Sequence, residues 1–178
     1  MTTGEDVSVG RLLVLEYERL KDEQRARIGF RDNLLYATLA SMAAVIAVAV
    51  QAGAQLLLVL PPVSLVLGWT YLVNDEKISA AGRYVRDQLA PALGNLSGGQ
   101  VAVFGWETAH RGDAHRRSRK RFQLGVDLLT FCGAPAAAVV VQWVVARGHT
   151  SLYVLSGVEL LAVGLLAWQI VRYSDLAS

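Results

Sequence analysis

Asp, Glu, Lys and Arg are absent from Asn33 through Asn74, a gap of 42 residues. A helix needs about 20 apolar residues to cross a bilayer core, so the gap holds two spans. Its middle reads Gln51-Ala-Gly-Ala-Gln55, a polar, flexible break. The pattern predicts helices over about 33–51 and 56–74, joined as a tight hairpin, because hydrocarbon leaves backbone polar groups no partner outside their own segment. Pro61-Pro62 requires the second helix to start near Leu58–Leu60 or to kink there. The second half repeats the pattern. Phe122–Ala146 is apolar except for Asp127, and Thr150–Val171 is apolar except for Glu159, with Arg147-Gly-His149 between them. The predicted fold class is all-α: a polytopic membrane protein of four transmembrane helices in two hairpins, with cytoplasmic helical extensions.

Between and before the spans the periodicity changes. Leu13, Tyr17, Leu20, Gln24 and Ile28 recur at three- and four-residue spacing, a helical stripe running without proline into the first span. Ile78, Ala81, Val85 and Leu89 form a second stripe. Asn74 either caps a new helix or lies within a continuing one. The two stripes are expected to pack antiparallel; the alternative is that each lies on the lipid headgroups. After Pro91, Gly94–Gly99 reads as a flexible loop, and Val101–Trp106 as a short apolar piece whose Phe104 and Trp106 dip into the headgroups. The expected division is 1–32, an amphipathic helix leading into span 1; 33–74, the first hairpin; 75–121, a helix and basic loop; 122–172, the second hairpin; and 173–178, a tail.

Charge then orients these elements. Of the 17 Lys and Arg residues only Arg147 lies at a hairpin tip, so the positive-inside rule puts both termini and the central loop in the cytoplasm. Trp69, Tyr71, Trp143, Tyr153, Trp168 and Tyr173 sit toward span ends, where amphipathic rings favour the interface. The run RGDAHRRSRKR over 111–121 stops translocation, and Arg116, Arg117, Arg119, Lys120 and Arg121 are the expected contacts to anionic headgroups, about 1 kcal/mol per cation. Nucleic acid is not an expected partner, because a basic run beside a span already has a sufficient cause.

Composition agrees. Hydrophobic residues make up 53% of the chain and charged residues 18%, below the roughly quarter charged that a water-soluble domain carries. The single Cys132 cannot form an intrachain disulfide. The first span lies behind a charged segment with no small-residue cleavage site after it, so it is expected to stay in the mature protein. No Gly-x-Ser-x-Gly, P-loop, His-Glu-x-x-His or Cys-x-x-Cys occurs. His110 and His115 stand among arginines rather than metal ligands. Neither catalysis nor a cofactor nor a metal is expected.

The two acids inside the spans carry the candidate chemistry. Asp127 lies within reach of Arg31, Lys120 or Arg172 at the rim, and an ion pair suffices to explain it. Glu159 stands near mid-bilayer, with no basic residue at its depth in any span. A charge there is costly and marks a functional site by default. Three arrangements relieve it: a protonated carboxyl bonded to Ser64 or Ser156, a water-filled cavity, or copies meeting around an oligomer axis. Ala37, Ala40, Ser41 and Ala44, with Gly133, Ala136 and Ala137, permit close helix approach within or between subunits.

Two segments, EQRARIGFRDNLLY over Glu23–Tyr36 and LGWTYLVNDEKIS over Leu67–Ser79, resemble a set of small actinobacterial integral membrane proteins of unassigned function. The resemblance implies a four-span bacterial inner-membrane protein and carries no site residues across. The expected role is an oligomeric component that passes ions or protons or sets membrane potential. The alternative is a non-catalytic anchor that recruits a cytoplasmic protein through its N-terminal helix and central loop.

Overall fold

The computed structural model describes residues 8–98, 104, 116–145 and 150–174. Every regular element among them is helical. Helix α1 runs Val9–Ala52 and α2 Leu60–Tyr84; α3 is Ala90–Leu96, α4 Arg116–Leu128, α5 Ala134–Val145 and α6 Thr150–Tyr173. Four stretches among the described residues are long and apolar enough to cross a bilayer: Val9–Ala52, Ala54–Leu96, Ser118–Val145 and Thr150–Tyr173. This is consistent with a polytopic membrane protein.

The helix ends follow from local chemistry. The Ser8 hydroxyl accepts a bond from the Arg11 amide, 3.3 Å, and its carbonyl accepts one from Leu12, so Ser8 caps α1. At the other end Gly53 adopts φ +122°, a conformation that a side chain disfavours, while its amide donates to the Ala49 carbonyl at 2.9 Å. A 3-10 turn, Ala54–Val59, then leads into α2. Helix α2 starts at Leu60, which places Pro61 and Pro62 in its first turn, where amide hydrogens have no helical partner.

The other two prolines lie within long helices, and each follows a π turn. Val85–Leu89 precedes Pro91, and Leu129–Gly133 precedes Pro135. In each the fifth-residue bond is present: the Ala90 amide donates to the Val85 carbonyl, and the Ala134 amide to the Leu129 carbonyl. A proline ring collides with the carbonyl four residues back and offers no hydrogen. Widening the turn just before the ring relieves that collision and lets the helix continue. For this reason the helix runs on to Leu96, into the Gly94–Gly99 stretch expected to be a loop. Asn74 lies inside α2, the continuing-helix alternative.

The chain divides into two compact units. One, the charged unit, comprises Met1–Phe30 and Asp75–Arg116; the other, the apolar unit, comprises Arg31–Asn74 and Arg117–Ser178. In the charged unit the start of α1 packs on the end of α2. The Gln24 side chain donates to the Ile78 carbonyl at 3.2 Å, and Tyr84 OH donates to the Glu16 carboxylate at 2.6 Å, so the two segments run antiparallel. Leu13, Tyr17, Leu20 and Gln24 are half-buried as the stripe predicts, but Ile28 is 39% exposed. Arg27, paired with Glu23, takes the inward position, because the heptad spacing of the stripe reaches residue 27 before 28. Phe104 stacks on Tyr17, with ring centroids 3.9 Å apart, and so meets a protein ring where headgroup contact was expected. Trp106 lies outside the described residues.

The apolar unit is built around Leu34, Tyr71, Leu72, Phe131, Cys132, Val163, Leu166 and Ile170. A smaller cluster joins Met42, Leu60 and Ala138. Gly68 marks a close approach of neighbouring side chains: a Cβ there would lie 2.9 Å from Leu166 Cδ2 and 3.0 Å from Phe131 Cδ1. Outside this core the surface is hydrocarbon. Val50 is 82% exposed, Val144 77%, Leu161 71% and Leu165 65%. Meanwhile Thr38, Ser64, Asn74, Gln142 and Ser156 are all buried. Polar groups inside and large apolar side chains outside reverse the pattern of a water-soluble domain and suit a hydrocarbon solvent.

Candidate functional site in the apolar unit

The inward face of α6 carries Ser156, Val163, Leu166 and Ile170. Glu159 is three residues after Ser156 and four before Val163, which puts it on that face. It is half-buried, about 14 Å along the helix from Thr150 at 1.5 Å per residue. Its Oε2 is shielded from solvent and has no hydrogen-bond partner.

Three other polar side chains of this unit share that condition. Gln142 on α5 is fully buried, and neither its amide oxygen nor its amide nitrogen is bonded. Ser64 on α2 is fully buried with an unbonded hydroxyl, and Gln169 on α6 has an unbonded, shielded Oε1. Leaving such a group unpaired costs about 1–3 kcal/mol in a protein interior. The neighbouring hydroxyls are satisfied. Thr38 donates to the Leu34 carbonyl at 2.7 Å. Ser156 accepts from Trp143 Nε1 at 2.8 Å and donates to the Tyr153 carbonyl at 3.0 Å. Ser156 is thus committed to partners other than Glu159.

Side-chain contacts between the helices set the depth of these groups. Trp143 meets Ser156, while Phe131 and Leu166 meet at Gly68, so α4–α5 runs antiparallel to α6. Leu60 packs with Ala138 and Gly68 with Phe131, so α2 is also antiparallel to α4–α5. Interpolating along these helices, Gln142 is uppermost on the Gly53 side. Glu159 stands about one turn below it, and Ser64 about one turn further.

The rim residues are placed differently from one another. Asp127 is half-buried on α4. Arg31 lies 3.5 Å from the Asp32 carboxylate, and the Arg172 guanidinium sits 5.2 Å from the centroid of the Trp168 ring. In the basic block Arg119 and Arg121 are exposed and Lys120 is half-buried. The side chains of Arg116 and Arg117, and all of 105–115, lie outside the described residues. Of the small residues, Ala37, Ala40 and Ala44 are exposed on α1. Among the described residues no group of three His, Cys, Asp or Glu side chains could hold a metal.

The charged unit contains a perturbed titrating group. The Tyr84 phenol is pushed above its ordinary value, first by its hydrogen bond to Glu16, then by burial and by the Glu16 charge. A groove of about 380 Å³ beside it is lined by Leu20, Glu23, Gln24, Arg27, Lys77 and Tyr84, together with Ala80 and Ala81.

The residue that sequence reasoning missed is Gln142. A scan for charge gaps passes over an uncharged amide. The available signal was its place in the run Pro135, Ala138, Val139, Gln142, which is one helical face. No family model, curated protein or solved structure matches the chain.

Proposed function

We propose that this protein lets ions or protons cross a bacterial inner membrane, working as a homo-oligomer with both termini cytoplasmic and no cofactor. The observation that carries the reading is the Glu159 carboxylate, set on an inward helix face with an oxygen that no protein group satisfies. An enzymatic role has no support in the residues around it. The exposed alanines of α1 supply a surface on which copies can approach closely. The basic residues of α4 would sit among anionic headgroups on the cytoplasmic side.

Reconstitution into liposomes tests this reading. Wild-type protein should raise ion or proton flux above that of empty liposomes, and Glu159→Gln should remove most of the rise. Equal leakage from protein-containing and empty vesicles would discard it. Orientation is read by placing single cysteines at Gly53 and Ser97 in a Cys132→Ala background. An impermeant thiol reagent added to whole cells should label position 53 and not 97.

The second reading is a scaffold that recruits a cytoplasmic protein. It draws on the separate packing of the charged unit, with its Tyr17–Phe104 stack and its groove bordered by Glu23, Arg27 and Lys77. Under it, deleting residues 8–30 should abolish partner capture and leave membrane insertion intact.

A further inference from the structure

The permeation reading leaves open what crosses and where. The interior of the apolar unit bears on both. At the depth of Glu159 and below it the interior is lined mostly by buried apolar side chains. Phe131 and Val139 are fully buried, and Leu60 and Leu166 are each 2% exposed. A hydrated metal cation cannot pass between side chains packed to that degree. Yet the same cross-section holds the unpaired donors and acceptors of Gln142, Glu159 and Ser64, on inward faces of three different helices.

Their chemistry is uneven in an informative way. The Gln142 amide offers a donor and an acceptor, and the Ser64 hydroxyl offers both on one atom. Either group can hold a water in line without changing its own charge. Only Glu159 can take up a proton and give it back. The neighbouring hydroxyls that could have served as partners are already bonded to backbone carbonyls, as Thr38 and Ser156 are. None of these unpaired atoms is bonded to another, so a link between them runs through bridging water.

We infer that the cargo is the proton and that its path lies inside one protomer, through Gln142, Glu159 and Ser64. This rests on the permeation reading above and narrows it. A proton delivered along water held by Gln142 binds the Glu159 carboxylate, forming the neutral acid. Release along water held by Ser64 restores the carboxylate, so one positive charge has moved and no bond in the protein has changed. Phe131, Val139 and Leu166 form the packing that excludes other ions from the route.

The test uses the full chain in liposomes containing a pH-sensitive dye, with a potential imposed across the membrane and potassium flux followed in parallel. Wild type should acidify or alkalinise the lumen with the sign of the potential while potassium stays at the empty-vesicle level. Glu159→Gln should cut proton flux at least tenfold, and Ser64→Ala and Gln142→Leu several-fold each. If Gln142→Leu fails to insert, Gln142→Met keeps the chain length and serves instead. Proton flux that drops in Glu159→Gln but is unchanged in both Ser64→Ala and the Gln142 variant would overturn the interior path. Potassium flux matching proton flux would overturn the choice of cargo, and both outcomes leave permeation standing. An absence of any flux would overturn permeation and this inference together.

Discussion

The two units of this chain solve opposite problems with the same helices. The apolar unit keeps polar groups inside, Gln142 and Ser64 among them, and turns Val50, Val144 and Leu161 outward. The charged unit ties its ions in local pairs, Arg83 with Glu76 at 3.1 Å and Arg86 with Asp87 at 2.6 Å, and admits Arg27 to the inward stripe only with Glu23 beside it. Helix α1 serves both, because its inward positions keep a three- and four-residue spacing from Leu13 to Ala49 while the outward positions change from charged to apolar. What differs is the solvent each outer face is built for. The inner seam is the shared device.

The sharpest way to break the comparison is to remove the hydrocarbon. In plain buffer the protein should aggregate completely, as read by size-exclusion chromatography, because the outer face of the apolar unit has nothing to hydrate it. A monodisperse peak without detergent would undo the distinction between the units.

Next in size is Gly68. A leucine there must displace Leu166 and Phe131 together. Gly68→Leu should lower thermal stability in detergent by about 3 kcal/mol, the upper end of overpacking costs, and Gly68→Ala by about 1 kcal/mol. The same pair of changes at Gly94, which has open space around it, should be far milder.

Smaller again is Ser156→Ala, which removes the hydrogen-bond partner of Trp143 Nε1. A loss of about 1–2 kcal/mol is expected, with a shift in tryptophan emission. Ser97→Ala, whose hydroxyl bonds an exposed Gly94 carbonyl, should cost much less by the same denaturation measurement.

The smallest effects belong to the charged unit. Tyr84 is protonated when it donates to Glu16, and its folded value is raised. The contact is therefore intact below the ordinary phenol value near 10 and is lost as pH rises through the raised one. Ultraviolet titration of wild type against Tyr84→Phe should show one tyrosine ionising later than in Glu16→Gln. Arg25→Ala removes an exposed pair with Asp22 and should change stability by less than about 0.5 kcal/mol.

Much of this was legible from one property, the distribution of charge. The first gap spans Asn33–Asn74, and the contact boundary between units falls at Phe30/Arg31 and Asn74/Asp75. The agreement has a physical cause. Charged side chains cannot be buried cheaply in either hydrocarbon or a helix seam, so where they stop, the surroundings change. Glu159 was visible for the same reason, as an exception within a gap. The turn at Gly53 was legible from its polar, glycine-containing break.

Sequence alone therefore determined which segments need lipid, where they turn and which acid is out of place, because each follows from the local cost of losing water. Tertiary structure decided which uncharged polar groups face inward, since Gln142 reads like any neighbour until the helices close around it. It also decided that the helix continues from α2 through a π turn into α3 past Pro91, and from α4 into α5 past Pro135, where a proline could equally have ended it. Orientation about a helix axis is a collective outcome: a residue's face depends on what its partners bury, and that information lies in no single stretch of chain.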